Sequence, residues 1–252
     1  MVRGIESFRE WFQEYEEQYA IIGGTACDLL MTEEGLDFRA TKDIDLVLII
    51  ESVDASFGSR FWEYVTVAGY EHRNKSTGKQ QFYRFTNPQS RDYPSMIELF
   101  TRKPDAVILP ENAALSPLPM EEDISSLSAI LLDDDYYEFL RQGRIRASGV
   151  TVLSALYLIP FKAKAWLDLL RRKEEGEHVD SRNIRKHKNN VFRLIELIDP
   201  NTDSISYIPD TIKADMREFV ERMSLESVDL KQIGIPEKSK EAILEELNAI
   251  YR

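Results

Sequence analysis

Residues 21–50, IIGGTACDLLMTEEGLDFRATKDIDLVLII, set a glycine turn and two acids against two apolar runs, and few folds accommodate that order. The first run, from Tyr19 to Ile22, reads as a strand, and the second, from Ile44 to Ile50, as a strand long enough to sit centrally in a sheet. Residues two apart on a strand share a face at about 7 Å, so Asp43 and Asp45 project together while Ile44 and Leu46 enter the core. Two carboxylates that close repel each other, and a divalent cation relieves the repulsion. Oxygen ligands of this kind suit Mg²⁺, which usually takes one or two protein carboxylates and fills its other positions with water and substrate phosphates. Gly23 and Gly24 let the backbone approach a bulky anion. Thr25 then opens a helix over residues 25–31 whose N-terminal N–H groups and dipole favour phosphate. The structural alternative is a buried βα turn followed by a strand with two solvated acids.

Gly23-Gly24-Thr25 followed by Arg39-Ala-Thr-Lys-Asp43-Ile-Asp45-Leu resembles the signature of the DNA-polymerase-β-like nucleotidyltransferases, specifically the AbiEii-type toxin family. The resemblance implies an α+β chain. A nucleotidyltransferase-type mixed β-sheet with flanking helices would occupy residues 1–150, and a helical domain over 151–252 would close the nucleotide cleft. It further implies an NTP substrate and two Mg²⁺ ions held by Asp43 and Asp45. The β- and γ-phosphates would be held by backbone N–H groups of Gly23 and Gly24 and by the backbone and hydroxyl of Thr25. A third carboxylate is expected from a strand beside the Asp-x-Asp strand, and Glu98 in Ser95-Met-Ile-Glu-Leu-Phe100 matches; it would complete the second metal site and take the acceptor's proton. A glutamate in so apolar a strand otherwise calls for an ion pair with a neighbouring Arg or Lys.

Lys162 and Lys164, in LIPFKAKAWLDL, resemble the family's nucleotide-contacting lysine. They lie two apart on a helix and face different ways, and Lys162 is preferred; both snorkelling from an amphipathic face is the alternative. The segment from Arg185 to Arg193, RKHKNNVFR, resembles the family's last motif, with Lys186 at the arginine place and His187 and Asn190 where two acids are expected. Either the protein compensates, with His187 or Lys188 on phosphate, or it is an inactive relative that binds nucleotide or a partner. Relatives in this family act as toxins of toxin–antitoxin pairs. The acceptor would be a small molecule, a tRNA end or a protein hydroxyl, and a cognate antitoxin the partner.

The 252 residues, 43% of them hydrophobic, suffice for one large core or two modest ones. No apolar run approaches membrane-spanning length and MVRGIESFREW is no signal peptide, so a cytoplasmic protein with no membrane partner is expected. Cys27 is the only cysteine, which excludes an intrachain disulfide and a multi-cysteine zinc site. A net charge of −12 argues against wrapping nucleic acid. Between Lys162 and Arg193, however, ten Lys and Arg stand against five acids, a local patch suited to anions or a set of solvated helix faces.

Elsewhere, Ser7 and Glu10 fit a capping box opening a helix with Phe8, Trp11, Phe12 and Tyr15 inward. Phe57, Phe61, Tyr64, Val65 and Ala68 mark a second helix ending at Gly69. Strands at 70–73 and 80–85 would flank a turn at 74–79, with another strand at 106–109. Residues 125–132 are apolar enough for a strand or a helix start. Asp133, Asp134 and Asp135 read as acids at a helix N-terminus, since three adjacent acids on a helix point three ways and chelate poorly. From Ser154 onward the pattern is helical, and Pro160 either begins or kinks the first of these helices. Further helices are expected over 181–198, 211–223 and 236–251.

Overall fold

The computed structural model describes residues 2–38, 41–71, 84–100, 130, 133–199 and 203–252. The chain divides into two compact units, Met1–Met120 with Arg144–Leu153, and Glu121–Gly143 with Ser154–Arg252. Among the described residues it is mixed α/β, with a six-stranded mixed sheet and eight α-helices, none of them long and apolar enough to cross a membrane. The turn at 74–79, the strand at 106–109 and His72 lie outside the described residues, as does the stretch at 125–132 apart from Ile130.

The first unit holds helices α1 (Ile5–Phe12), α2 (Gly23–Glu33) and α3 (Ala55–Ala68). Its strands are β1 (Tyr19–Ile22), β2 (Asp43–Leu48), β3 (Arg84–Thr86), β4 (Met96–Phe100), β5 (Arg144–Ala147) and β6 (Val150–Leu153), in the order β3-β4-β2-β1-β6-β5. Helix α1 starts two residues before Ser7: Gly4, at φ +72, is its N-cap, and the Ser7 hydroxyl donates to the Gly4 carbonyl at 3.0 Å instead of capping. A capping Ser must lie outside the helix, and the apolar face reaching back to Ile5 takes Ser7 inside it. Of the expected apolar face, Phe8 and Phe12 are buried while Trp11 and Tyr15 are half-buried.

One face of the sheet is sealed by aromatic packing. Tyr19 meets Phe8 edge-on at 5.5 Å and Phe85 meets Phe61 at 5.3 Å, while Phe12 joins α1 to α3 through Phe57 and Tyr64. Rings buried this completely contribute roughly 1.5–3 kcal/mol each and leave α1 and α3 little freedom over β1 and β3. Helix α3 is closed at both ends, by the Asp54 carboxylate accepting from the N–H groups of Ser56 and Phe57 and by left-handed Gly69.

Residues 144–153, to which no strand is assigned above, form the β5–β6 hairpin that completes the sheet, β6 running parallel to β1. Its turn is Ser148-Gly149, with φ of +51° and +79°. Two left-handed residues match the right-handed twist of a two-residue hairpin.

The second unit is helical: α4 (Asp134–Gln142), α5 (Ala155–Glu174), α6 (Ser181–Leu194), α7 (Asp210–Leu225) and α8 (Lys240–Ile250). Asp133 caps α4, its carboxylate accepting from the N–H groups of Asp135 and Tyr136, as the acidic run predicts. Helix α5 runs through Pro160 without breaking. Proline has no N–H to bond the carbonyl four residues earlier, here that of Leu156. The buried Tyr251 hydroxyl donates to that carbonyl instead, which accounts for a proline inside a buried helix. Tyr251→Phe is therefore expected to cost about 1–3 kcal/mol, the penalty for stranding a buried acceptor. In a Pro160→Ala background, where the Ala N–H serves Leu156, the same change is expected to cost clearly less. Urea denaturation of the four proteins measures both, and equal losses in the two backgrounds would exclude this compensation.

Candidate active site

The backbone register lines up one transverse row across four strands. Arg84 of β3 lies opposite Glu98 of β4, Glu98 beside Asp45 of β2, and Asp45 opposite Ile22 of β1, the residue before Gly23. Residues paired in register share a face, so this row lies on the face opposite Tyr19, Phe85 and Ile97. Asp43, two residues from Asp45, is on the same face one step along, paired with Met96.

Gly23 brings the helix to this row. It opens α2 at φ +74°, and a Cβ on it would fall 1.6 Å from Asp45 Oδ2. Its left-handed backbone favours glycine, and a Cβ there would displace the Asp45 carboxylate. Helix α2 has no side-chain cap at Ile22, and its N-terminal N–H groups point to the end where Asp45 lies. Gly24 follows, half-buried, as the second helical residue.

Thr25 has a different task from the one expected. It is fully buried, and its hydroxyl donates to the Asp43 carbonyl at 2.6 Å, with Thr41 Oγ1 at 3.4 Å. A hydroxyl has one proton to give, so Thr25 pins the start of β2 to α2 and its side chain does not donate to a phosphate.

Glu98 is 7% exposed and meets both demands raised by its sequence context. Its Oε1 accepts from Arg84 Nε at 2.8 Å and pairs with Arg84 Nη2 at 2.7 Å, the ion pair that an isolated strand glutamate calls for. It also sits beside Asp45. Burial first and the Asp45 charge second push its carboxyl up to about 8, against the lowering influence of Arg84.

The site thus gathers two of the three predicted carboxylates. Asp43 is exposed, and among the described residues no three His, Cys, Asp or Glu side chains form a group that could hold a metal ion. Mg²⁺ asks for less than such a cage: one or two carboxylates, with water and substrate oxygens completing an octahedron. Asp45 and Glu98 satisfy that donor set. Burial raises the Glu98 carboxyl most and the Asp45 charge adds to it, and a cation between the two acids would lower it again.

The remaining predicted residues belong to the helical unit. Lys162 is buried in α5. Lys164 pairs with Asp215 of α7 at 3.0 Å, and Asp215 also accepts from the Tyr136 hydroxyl at 3.0 Å, so Lys164 belongs to a polar network tying α4, α5 and α7 together. On α6, Lys186 and His187 are half-buried and Asn190 is 1% exposed. Lys188 binds the Ser227 carbonyl at 2.9 Å and pairs with Glu226 at 3.4 Å. Sequence reasoning passed over Arg84, although the demand of Glu98 for a basic neighbour was the signal that pointed to it.

No protein-family model, curated protein or solved structure matches this chain.

Proposed function

We propose that this chain is a Mg²⁺-dependent nucleotidyltransferase, with its sheet arranged as in the DNA-polymerase-β-like family that its Gly-Gly-Thr and Asp-x-Asp motifs resemble. The observation that carries the reading is the contact between Gly23 and the Asp45 carboxylate, with Glu98 next in the row. An uncapped helix start and a cation-seeking carboxylate pair then meet at one point, as a metal–triphosphate substrate requires. Asp45 and Glu98 would hold the cation, with Asp43 one step along the same face. When bound, Mg²⁺ would neutralise phosphate charge and acidify the acceptor hydroxyl.

The chain's own residues supply the rest. Backbone N–H groups at Gly23 and Gly24 face the phosphates. The acceptor oxygen bonds to the α-phosphorus and pyrophosphate leaves, while the hydroxyl proton passes to Glu98. With the cation bound, Glu98 would be held as a carboxylate, the form that can take that proton. The net charge of −12 favours a small or single-ended acceptor over a long duplex, within the classes of small molecule, tRNA end and protein hydroxyl. The family reading adds a toxin role, a cognate antitoxin and a cytoplasmic setting.

A second reading, an inactive relative that binds nucleotide or a partner, is favoured by His187 and Asn190 at the two acid positions. Incubation with α-³²P-labelled NTPs, Mg²⁺, tRNA, aminoglycosides and protein acceptors separates them. Label on one acceptor class with release of pyrophosphate supports the transferase. Saturable nucleotide binding without transfer to any class overturns it in favour of the second reading.

A further inference from the structure

We propose that Arg84 is a positioning residue, holding the Glu98 carboxylate in the orientation that receives the divalent cation; this deepens the reading above and rests on it. Arg84 and Glu98 are directly opposed across the β3–β4 ladder, where side chains on one face are neighbours. The guanidinium places two of its nitrogens, Nε at 2.8 Å and Nη2 at 2.7 Å, on the same oxygen, Oε1. This differs from the symmetric fork in which two nitrogens take two oxygens and occupy a carboxylate completely. With Oε1 held from the β3 side, the carboxylate plane is fixed, and Glu98 meets Asp45 on its β2 side.

Glutamate has three side-chain torsions, and an unrestrained Glu98 beside a like charge would turn away from Asp45. The row Arg84–Glu98–Asp45 opposes that: the cation on β3 anchors the middle acid while β2 presents the outer one. The side chains of Arg84 and Glu98 are 17% and 9% exposed, so water competes little for the bond. Partners that orient a metal ligand typically govern 10–100-fold in metal affinity. Arginine is needed in particular, because lysine offers a point charge and cannot place two donors of fixed geometry on one oxygen.

The contrasting possibility is that Arg84 only neutralises charge. It would then compete with a divalent cation, and its removal would tighten cation binding. Mn²⁺, detected by electron paramagnetic resonance as the free ion disappears, measures affinity without any need for turnover. The unmodified 252-residue chain, Arg84→Lys, Arg84→Met and Asp45→Asn are titrated, with circular dichroism and thermal melting as controls for folding. Positioning predicts Mn²⁺ affinity about 10–100-fold weaker in Arg84→Lys, although its charge is unchanged, and at least as weak in Arg84→Met. Wild-type affinity in Arg84→Lys together with tighter binding in Arg84→Met overturns the proposal and assigns Arg84 to charge compensation. Affinity in Asp45→Asn equal to wild type would instead remove the cation site itself, a separate failure visible in the same titration.

Discussion

Asp45→Asn is expected to stabilise the metal-free protein while reducing the proposed nucleotidyl transfer by at least 100-fold. The two effects share one cause. Asp45 contributes the negative charge that, after burial, holds the Glu98 carboxyl up at about 8. Between about pH 4.5, the ordinary value, and pH 8, folded Glu98 retains a proton that the unfolded chain releases. The native state binds more protons across that window, so stability falls as pH rises through it and levels off above. An uncharged neighbour reduces the shift. Each unit of relief is about 1.4 kcal/mol, or roughly 3–6 °C in Tm for a chain of this length. Thermal melts from pH 5 to 8.5 in EDTA should show a flatter decline for Asp45→Asn, with the largest gain near pH 8. The expected transfer loss exceeds the 10–100-fold typical of an outer-shell partner because a proposed direct ligand is removed. Unchanged transfer would exclude Asp45 from the active site. A Tm at pH 8 below that of wild type would show that Asp45 serves the fold more than it strains it.

Gly23→Ala is expected to be the most damaging single-methyl change at the site. The left-handed backbone costs any other residue about 1–2 kcal/mol. At Gly23 a methyl group would also fall 1.6 Å from Asp45 Oδ2, so the carboxylate or the start of α2 must move. Overpacking of this kind adds about 1–3 kcal/mol, for roughly 2–5 kcal/mol in all. Gly35 provides the control, having φ +70° but nothing within 4 Å of its added Cβ. Gly35→Ala should therefore cost only the backbone part. Urea denaturation of the two variants isolates the contact with Asp45 as their difference, and equal losses would mean that the contact is easily relieved. Because the displaced group is the proposed cation ligand, Gly23→Ala should also lose Mn²⁺ affinity whereas Gly35→Ala should not.

Much of the sheet unit was legible because its signals are local. Alternation across Asp43-Ile-Asp45-Leu fixes which side chains share a face, and the glycine pair at the end of an apolar run marks a strand-to-helix turn. The pairing of Glu98 with Asp45 was less legible, since register between strands 53 residues apart is set by core packing on the opposite face, through residues such as Ile97 and Leu46. Arg84 is a consequence of that register and could not be singled out from its own strand. The β5–β6 hairpin carried its signal in Ser148-Gly149 between short alternating runs, but its two arginines and its proximity to the helical region masked it. Thr25 shows the limit of motif reasoning. Its position beside the glycines suggested a phosphate donor, and only the fold shows its hydroxyl engaged by the Asp43 carbonyl. Lys164 shows the same limit, its partner Asp215 lying 51 residues away on another helix.

Asp45 and Glu98 are proposed to bind a divalent cation beside Gly23. Anomalous diffraction from crystals soaked in Mn²⁺ tests it most directly. The prediction is a peak at ordinary coordination distance, about 2.1 Å, from carboxylate oxygens of both residues. A peak only at exposed acids such as Asp134, with no density between Glu98 and Asp45, would contradict it.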